Sequence, residues 1–136
     1  MAAKKSKPYP MHNEKLSIVN EATAGIYASR FFDLATVFHL KKEELAGMFN
    51  ISLKSLMRYK SSRQKLNPMQ GEHVLKLLSL HKLGTEVFGE DAAFHLWLEK
   101  PAYGLGMKRP VQLMNTSGGV DLIADELKRI EWGDLA

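Results

Sequence analysis

The chain has 136 residues and a net charge of +4, a size that suits one compact domain or two very small ones that share a core. It contains no cysteine, which excludes disulfide bonds, thiolate chemistry and cysteine-based zinc sites and fits a reducing cytoplasm. No apolar run approaches the roughly 18 residues of a membrane span, and the basic start lacks the apolar region of a signal peptide. We therefore expect a cytoplasmic protein that does not enter a membrane.

Charge is unevenly distributed along the chain. Residues 1–15 are predicted to form a flexible basic arm, because Pro8 and Pro10 oppose helix formation there. No acidic residue occurs between Glu44 and Glu72, whereas acids outnumber cations in the second half of the chain. A basic first half and an acidic second half predict two surfaces that meet different partners.

The whole chain has helical periodicity, with no alternating strand pattern and no hairpin signal, so the predicted fold class is all-α. Gly25 is expected to interrupt the first helix. Asn67 is expected to cap the clearest helix, which has Pro68 at its first position and Gly89 just after its end. The predicted helical segments are 17–38, 41–49, 52–61, 67–89, 91–100, 110–115 and 118–132.

Residues 42–61 satisfy the requirements of a helix-turn-helix unit. Ala46 stands where the two helices would cross, and Asn50 stands in the turn, where a residue that tolerates positive φ is needed. Leu53 lies near the reading face, where it either weakens base reading or meets a thymine methyl group. The alternative is an ordinary helix pair with a solvated basic face. The predicted DNA contacts are Ser52, Lys54, Met57, Arg58, Ser61 and Arg63.

No catalytic or metal-binding motif is evident. The five histidines have no ligand spacing among themselves or with acids, so we expect them to be solvated or partly packed. No nucleophile, base and orienting acid can be assembled from local motifs, so the sequence predicts a protein that is not an enzyme and holds no metal or cofactor. A site assembled only by the fold is the alternative. The acids of the last helix are interpreted as a solvated face: Asp121, Asp125, Glu126, Glu131 and Asp134.

Residues 87–136 contain a series of motifs in a specific order. They are Phe88–Gly89, Trp97–Leu98, Pro101, Leu105–Gly106, Pro110, Leu113–Met114, Thr116, Gly119, Leu127, Arg129–Ile130–Glu131 and Gly133. In this pattern the segment resembles the toxin-binding domain of the Xre/MbcA/ParS antitoxin family. Residues 40–60 resemble the N-terminal half of the same family. The chain departs from the family at Lys41, where a capping serine is common, so we expect the helix at 41–49 to start less firmly.

The resemblance implies a type II antitoxin, with a helix-turn-helix DNA-binding domain at 16–80 and a toxin-binding domain at 81–136. It implies a RES-domain toxin that depletes NAD as one partner, double-stranded operator DNA as another, and a homodimer. In the family the C-terminal segment lies at or near the toxin's active-site entrance. We therefore expect Ile130 to close the small core and the toxin contacts to be Lys128, Arg129, Glu131 and Trp132. A stand-alone helix-turn-helix regulator with a C-terminal dimerisation domain is the alternative.

Overall fold

A computed structural model describes residues 12–133, with side chains described from Glu14 onward. The predicted arm therefore lies almost entirely outside the described residues. Within residues 12–133 the chain is all-helical, as predicted, and its only extended pairings are isolated bridges between Tyr27 and Lys65 and between Ala102 and Lys108. The α-helices are α1 (His12–Ala24), α2 (Phe31–Val37), α3 (Lys42–Met48), α4 (Leu53–Tyr59), α5 (Pro68–Phe88), α6 (Asp91–Leu98) and α7 (Ser117–Glu131), and the short 3-10 helices are Ala28–Arg30, Tyr103–Leu105 and Pro110–Leu113.

Short polar side chains define where the helices begin. The Ser52 hydroxyl accepts a hydrogen bond from the Ser55 N–H at 3.0 Å at the start of α4. The Asn67 side chain accepts from the Gln70 N–H at 2.8 Å at the start of α5. These bonds satisfy N–H groups that have no partner within the first helical turn. The predicted Asn67 cap is confirmed, and so is the end of α5, where Gly89 has a φ of 81°.

The start of α3 does not depend on a capping serine. The Lys41 side chain makes no cap hydrogen bond, as expected for a side chain without an acceptor. Instead, the Glu44 carboxylate reaches back and accepts from the Lys41 N–H at 2.9 Å. Glu43 and Glu44 both lie in the first turn, where the helix dipole favours negative charge. The acids therefore compensate for the capping serine that is absent at position 41.

Helix α5 is the central element of the fold and packs against α1, α2, α6 and α7. Its Val74, Leu77 and Leu80 are fully buried and belong to one core that extends from α1 to α7. The predicted domain boundary at residues 80 and 81 falls inside this continuous helix. In the described range no helix combines the length and the apolar composition that crossing a membrane requires.

A close approach joins α5 to α6. Gly84 of α5 is buried, and a Cβ atom at this position would overlap the ring of Phe94 in α6. Phe94 is itself fully buried and lies near the rings of Phe88 and Trp97, with centroids 6.3 Å away in each case. The absence of a side chain at position 84 thus allows the aromatic side of α6 to seat directly on α5.

His73 connects the two halves of the protein from the N-terminal part of α5. Its ring lies 4.6 Å, centroid to centroid, from the ring of Phe49, which follows α3. Its Nε2–H donates to the Met114 carbonyl at 2.8 Å, since a carbonyl oxygen only accepts. Burial lowers the pKa of His73, although the bond to the Met114 carbonyl acts in the opposite direction. His73 is therefore a buried core residue that contacts both sides of the protein.

Candidate functional sites

Helices α3 and α4 are joined by a tight turn with a left-handed residue. Asn50 has a φ of 53°, and the Ile51 N–H donates to the Ala46 carbonyl at 3.0 Å. Leu45 and Ala46 of α3 are buried, as is Leu56 of α4. The pair thus has the buried apolar positions and the strained turn residue that the sequence predicted for a helix-turn-helix unit.

The solvent-facing side of α4 carries most of the predicted DNA contacts. Lys54 and Arg58 are exposed on the helix, and Met57 is half-buried. The Ser52 oxygen is occupied by its capping bond, while Arg58 Nη2 lies 3.4 Å from Ser55 Oγ. Ser52 and Lys54 lie at the N-terminal end of α4, the end from which a recognition helix reads bases, whereas Arg58 lies in its last turn. Ser61 and Arg63 follow the helix and are also exposed.

The segment after α4 is held against the segment that precedes α2. The Ala28 N–H donates to the Gln64 carbonyl and the Leu66 N–H donates to the Ile26 carbonyl, each at 2.8 Å. The Lys65 ammonium lies 5.9 Å from the centroid of the Tyr27 ring. These contacts fix the backbone on the C-terminal side of Arg63. The cations that follow α4 therefore project from a segment whose backbone is hydrogen-bonded to residues 26–28.

An ion pair with a buried carboxylate lies at the C-terminal end of α7. Arg129 Nε and Nη2 donate to Glu126 Oε1 and Oε2 at 2.8 and 2.9 Å. Glu126 is only 7% exposed, so the prediction that it belongs to a solvated acidic face was wrong. Its position between Ile123 and Leu127 turns it inward, and a charge in that position requires a partner. Gly104 makes room for this carboxylate, because a Cβ atom there would overlap it.

The four predicted toxin contacts lie together on the last turn of α7 and just beyond it. Lys128 Nζ lies 3.7 Å from Asp125 Oδ1, and Arg129 is bound to Glu126 as described. Ile130 and Glu131 are half-buried. Trp132 is 52% exposed, although its N–H donates to the Lys128 carbonyl at 3.0 Å. Asp134, the last of the predicted acids, lies outside the described residues.

Among the further exposed apolar side chains of the second half, three lie on α6 and in the loop after it, and the sequence did not indicate them as a surface. Leu96 of α6 is exposed, and Tyr103 is 85% exposed. Tyr103 and Met107 lie in the same short loop, which the bridge between Ala102 and Lys108 closes. The exposure of Leu96 could have been predicted from the sequence, because helical spacing places it on the face opposite the buried Phe94 and Leu98.

Asp91, at the start of α6, is surrounded by three histidines. His81 Nε2 lies 2.7 Å and His95 Nε2 3.2 Å from Asp91 Oδ1, while His39 Nε2 lies 3.0 Å from Asp91 Oδ2. Hydrogen bonds from His39 and His81 hold the pKa of Asp91 at about 2, well below its usual range. His39, Asp91 and His95 each present a ligand atom within 4.8 Å of the others.

The spacing of these residues in the sequence gave no sign of the cluster. His39 lies between α2 and α3, His81 in the middle of α5, and His95 one turn after Asp91 in α6. Only the packing of α6 and the α2–α3 connection beside α5 brings the four side chains together. Along the sequence no histidine lies within an acidic cluster of ligand spacing, as expected. In the folded structure, however, histidines and an acid do come together at such a spacing. Imidazole nitrogens and a carboxylate are ligands suited to divalent transition metals.

Comparison with known proteins found relatives of this chain. Residues 83–133 match the family described as the antitoxin Xre/MbcA/ParS C-terminal toxin-binding domain. The protein "Antitoxin Xre" of Yersinia enterocolitica serotype O:8 / biotype 1B is 25% identical over 95 residues, which cover 69% of this chain and 64% of that relative. The two matches confirm the resemblance that the sequence motifs indicated, to the Xre/MbcA/ParS antitoxins. The matched region thus spans less than two thirds of this relative's length.

A solved structure supports the same fold. A chain in the crystal structure of the M. tuberculosis MbcT–MbcA toxin–antitoxin complex superimposes with a TM-score of 0.57 and 19% sequence identity. The match covers 79% of this chain and 96% of that chain. At this level of identity the similarity shows the helical fold alone. The structural match extends well beyond the C-terminal region, so it includes part of the N-terminal half.

The ion pair on α7 yields a stability prediction. Glu126→Gln leaves the Arg129 guanidinium beside a neutral amide, so we expect the free energy of unfolding to fall by about 1–3 kcal/mol. Asp125→Asn is the matched control, because Asp125 is an exposed acid on the same helix and its loss is expected to cost less than about 0.5 kcal/mol. Urea unfolding followed by tryptophan fluorescence measures both changes. Equal, small effects would show that the pair does not stabilise the end of α7.

Proposed function

We propose that this protein is a type II antitoxin that binds and neutralises a RES-domain toxin that degrades NAD, and that it binds operator DNA to regulate its own operon. The observation that carries the proposal is the match of residues 83–133 to a toxin-binding domain. This region ends in a half-exposed tryptophan at the edge of a well-packed helix. In this proposal the protein is a cytoplasmic inhibitor and regulator, and it needs neither a cofactor nor a catalytic group of its own.

The proposed toxin contacts are Lys128, Arg129, Glu131 and Trp132. A half-exposed Trp132 offers a large apolar area to a partner, and tryptophan is the side chain most often found to anchor an interface. Arg129 is held in one orientation by its two bonds to Glu126, which reduces the conformational entropy lost on binding. We therefore propose that Trp132 makes the main apolar contact with the toxin. Arg129 makes a polar contact, and its bonds to Glu126 orient its guanidinium group.

The proposed DNA contacts lie on and after α4: Ser52, Lys54, Met57, Arg58, Ser61 and Arg63. Lys54, Arg58 and Arg63 are exposed cations on a surface without acids in the surrounding sequence, which favours phosphate contacts. In a homodimer two such helices would address two half-sites of an operator. Leu53 is exposed at the start of α4, where it is placed to contact a thymine methyl group.

A stand-alone DNA-binding regulator is the second candidate function. It is favoured by the exposed apolar side chains Leu96, Tyr103 and Met107, which would suit contact between two copies of the chain as well as contact with a toxin. This regulator would bind DNA in the same way but would have no effect on a toxin.

Neutralisation separates the two functions. The full chain is co-expressed with a candidate RES-domain toxin encoded by a neighbouring gene, and we expect growth and cellular NAD to be restored. Trp132→Ala is expected to weaken toxin binding at least about tenfold, as for an interface anchor. Truncation after Glu131 should act in the same way, and it retains the Arg129–Glu126 pair that truncation after Leu127 would remove.

Met69→Ala is the control for that experiment, because Met69 is an apolar side chain that is 79% exposed and lies at the start of α5, away from the end of α7. It should neutralise the toxin like the unaltered chain. A soluble full chain that fails to restore NAD in the presence of an active toxin would favour the regulator. Full rescue by Trp132→Ala would instead place the toxin contact elsewhere.

The salt dependence of DNA binding tests the α4 surface. If about five cations contact phosphate in each chain, the logarithm of the association constant should fall with the logarithm of salt concentration with a slope near −4.5, or about twice that for a dimer. Lys54→Gln and Arg58→Gln should each reduce the slope by about 0.9 per chain. Fluorescence anisotropy with the promoter DNA measures the slope, and Lys82→Gln, an exposed lysine of α5, is the control. An equal effect of all three changes would contradict the assignment.

A further inference from the structure

We propose that His39, Asp91 and His95 form a binding site for one divalent transition-metal ion, with Zn²⁺ as the best fit. Their ligand atoms already lie within 4.8 Å of one another. The site is separate from α4 and from the end of α7, so it goes beyond the proposed recognition of DNA and toxin.

The donor set fits zinc. Two imidazole nitrogens and one carboxylate oxygen, with water in the fourth position, make a familiar tetrahedral arrangement. With metal–ligand distances of about 2.0–2.1 Å, neighbouring ligand atoms would be about 3.4 Å apart. His39 Nε2 lies 3.0 Å from Asp91 Oδ2, and His95 Nε2 lies 3.2 Å from Asp91 Oδ1. The two histidines contact different oxygens of Asp91, so side-chain rotations that bring the three ligand atoms from within 4.8 Å to this spacing around one oxygen would admit the ion.

The surroundings hold the ligands and leave one side open. His39 and Asp91 have side-chain exposures of 64% and 45%, so an ion can enter from solvent. His95 is largely enclosed, and its ring lies 6.1 Å from the ring of Phe38. Its Nε2 lies 3.1 Å from the Val37 carbonyl, a hydrogen bond that metal binding would replace. The apolar side of the cluster thus limits competition from water at the enclosed ligand.

His81 takes a different part in the proposed site. Its Nε2 lies 2.7 Å from Asp91 Oδ1, the shortest contact to this carboxylate, while His39 is on Oδ2. A hydrogen bond to one carboxylate oxygen orients the other toward a metal and is a common feature of metal sites. We therefore assign His81 as a positioning residue and not as a ligand.

A metal at this place would link separate parts of the chain. His39 belongs to the connection that leads directly into α3, and Asp91 and His95 belong to α6 of the toxin-binding region. His81 ties Asp91 to α5, against which α2 and α6 both pack. An ion bound to these residues would fix the start of the α3–α4 unit relative to α6. It would also raise the thermal unfolding midpoint, because binding to the folded state alone stabilises that state.

The first test measures zinc affinity with the full chain, free of any purification tag. ZnSO4 is titrated in competition with a chromophoric chelator, and we expect one ion per chain. His39→Asn and His95→Gln are expected to weaken binding at least about tenfold each. Asn suits position 39 because His39 has a φ of 56°, which asparagine tolerates. His12→Gln is the control, since it removes a histidine that is not among the four residues of the proposed site, and it should leave the affinity unchanged.

Variants at His81 test its positioning role. His81→Gln keeps an N–H donor for Asp91 and should retain most of the zinc affinity. His81→Ala removes the donor and should lose about tenfold, as for other outer-sphere groups. Equal affinity in these two variants, with intact helical circular dichroism, would overturn the assignment of His81.

The second test needs no substitution. Imidazole ¹⁵N resonances of the unaltered protein are followed by NMR during addition of Zn²⁺. We expect large shifts for His39 and His95 and little change for the buried His73. Absence of saturable zinc binding, or shifts confined to other histidines, would show that the cluster is only a hydrogen-bonded network around Asp91 and would overturn the proposal.

Discussion

The packing of α5 against four other α-helices is the constraint on which the rest of the structure depends. Its buried face contributes Val74, Leu77 and Leu80 to a core shared by α1 and α7. The close contact of Gly84 with Phe94 seats α6, and His73 reaches both Phe49 and the Met114 carbonyl. Any displacement of α5 would therefore disturb the α3–α4 unit and the C-terminal region together.

This arrangement explains how one small chain presents two surfaces of different chemistry. The α4 surface is basic and short, and its backbone is anchored on the far side by hydrogen bonds between residues 26–28 and 64–66. The end of α7 instead combines Trp132 with an arginine held by a buried carboxylate. The two surfaces differ in chemistry, and both are attached to the same core. In the proposed function they serve DNA and a toxin respectively.

Local signals made much of the fold predictable from the sequence. Ser52, Asn67 and Gly89 act within one or two turns of the chain, so their caps could be read without knowing the tertiary structure. The left-handed Asn50 was predictable for the same reason. The series of motifs in residues 87–136 likewise indicated the resemblance to the Xre/MbcA/ParS antitoxins, which the comparisons confirmed.

Features that depend on tertiary packing were missed. Glu126 has the sequence surroundings of a solvated acid, and only the approach of Gly104 and the bond to Arg129 show why it is buried. The three histidines around Asp91 come from separate elements, and no spacing rule along the chain unites them. The exposure of Tyr103 was hidden in the same way, because it depends on how a short loop closes.

The most direct test of the central claim, that one rigid core carries separate toxin and DNA surfaces, is whether all three components form one complex. Mass photometry of the protein mixed with an inactive RES-domain toxin and the promoter DNA measures the masses of the species formed. The account predicts a species that contains toxin, this protein and DNA together, because α4 and the end of α7 do not share contact residues. Mutually exclusive binding, in which the toxin displaces the DNA, or no binding of the toxin at all, would contradict it.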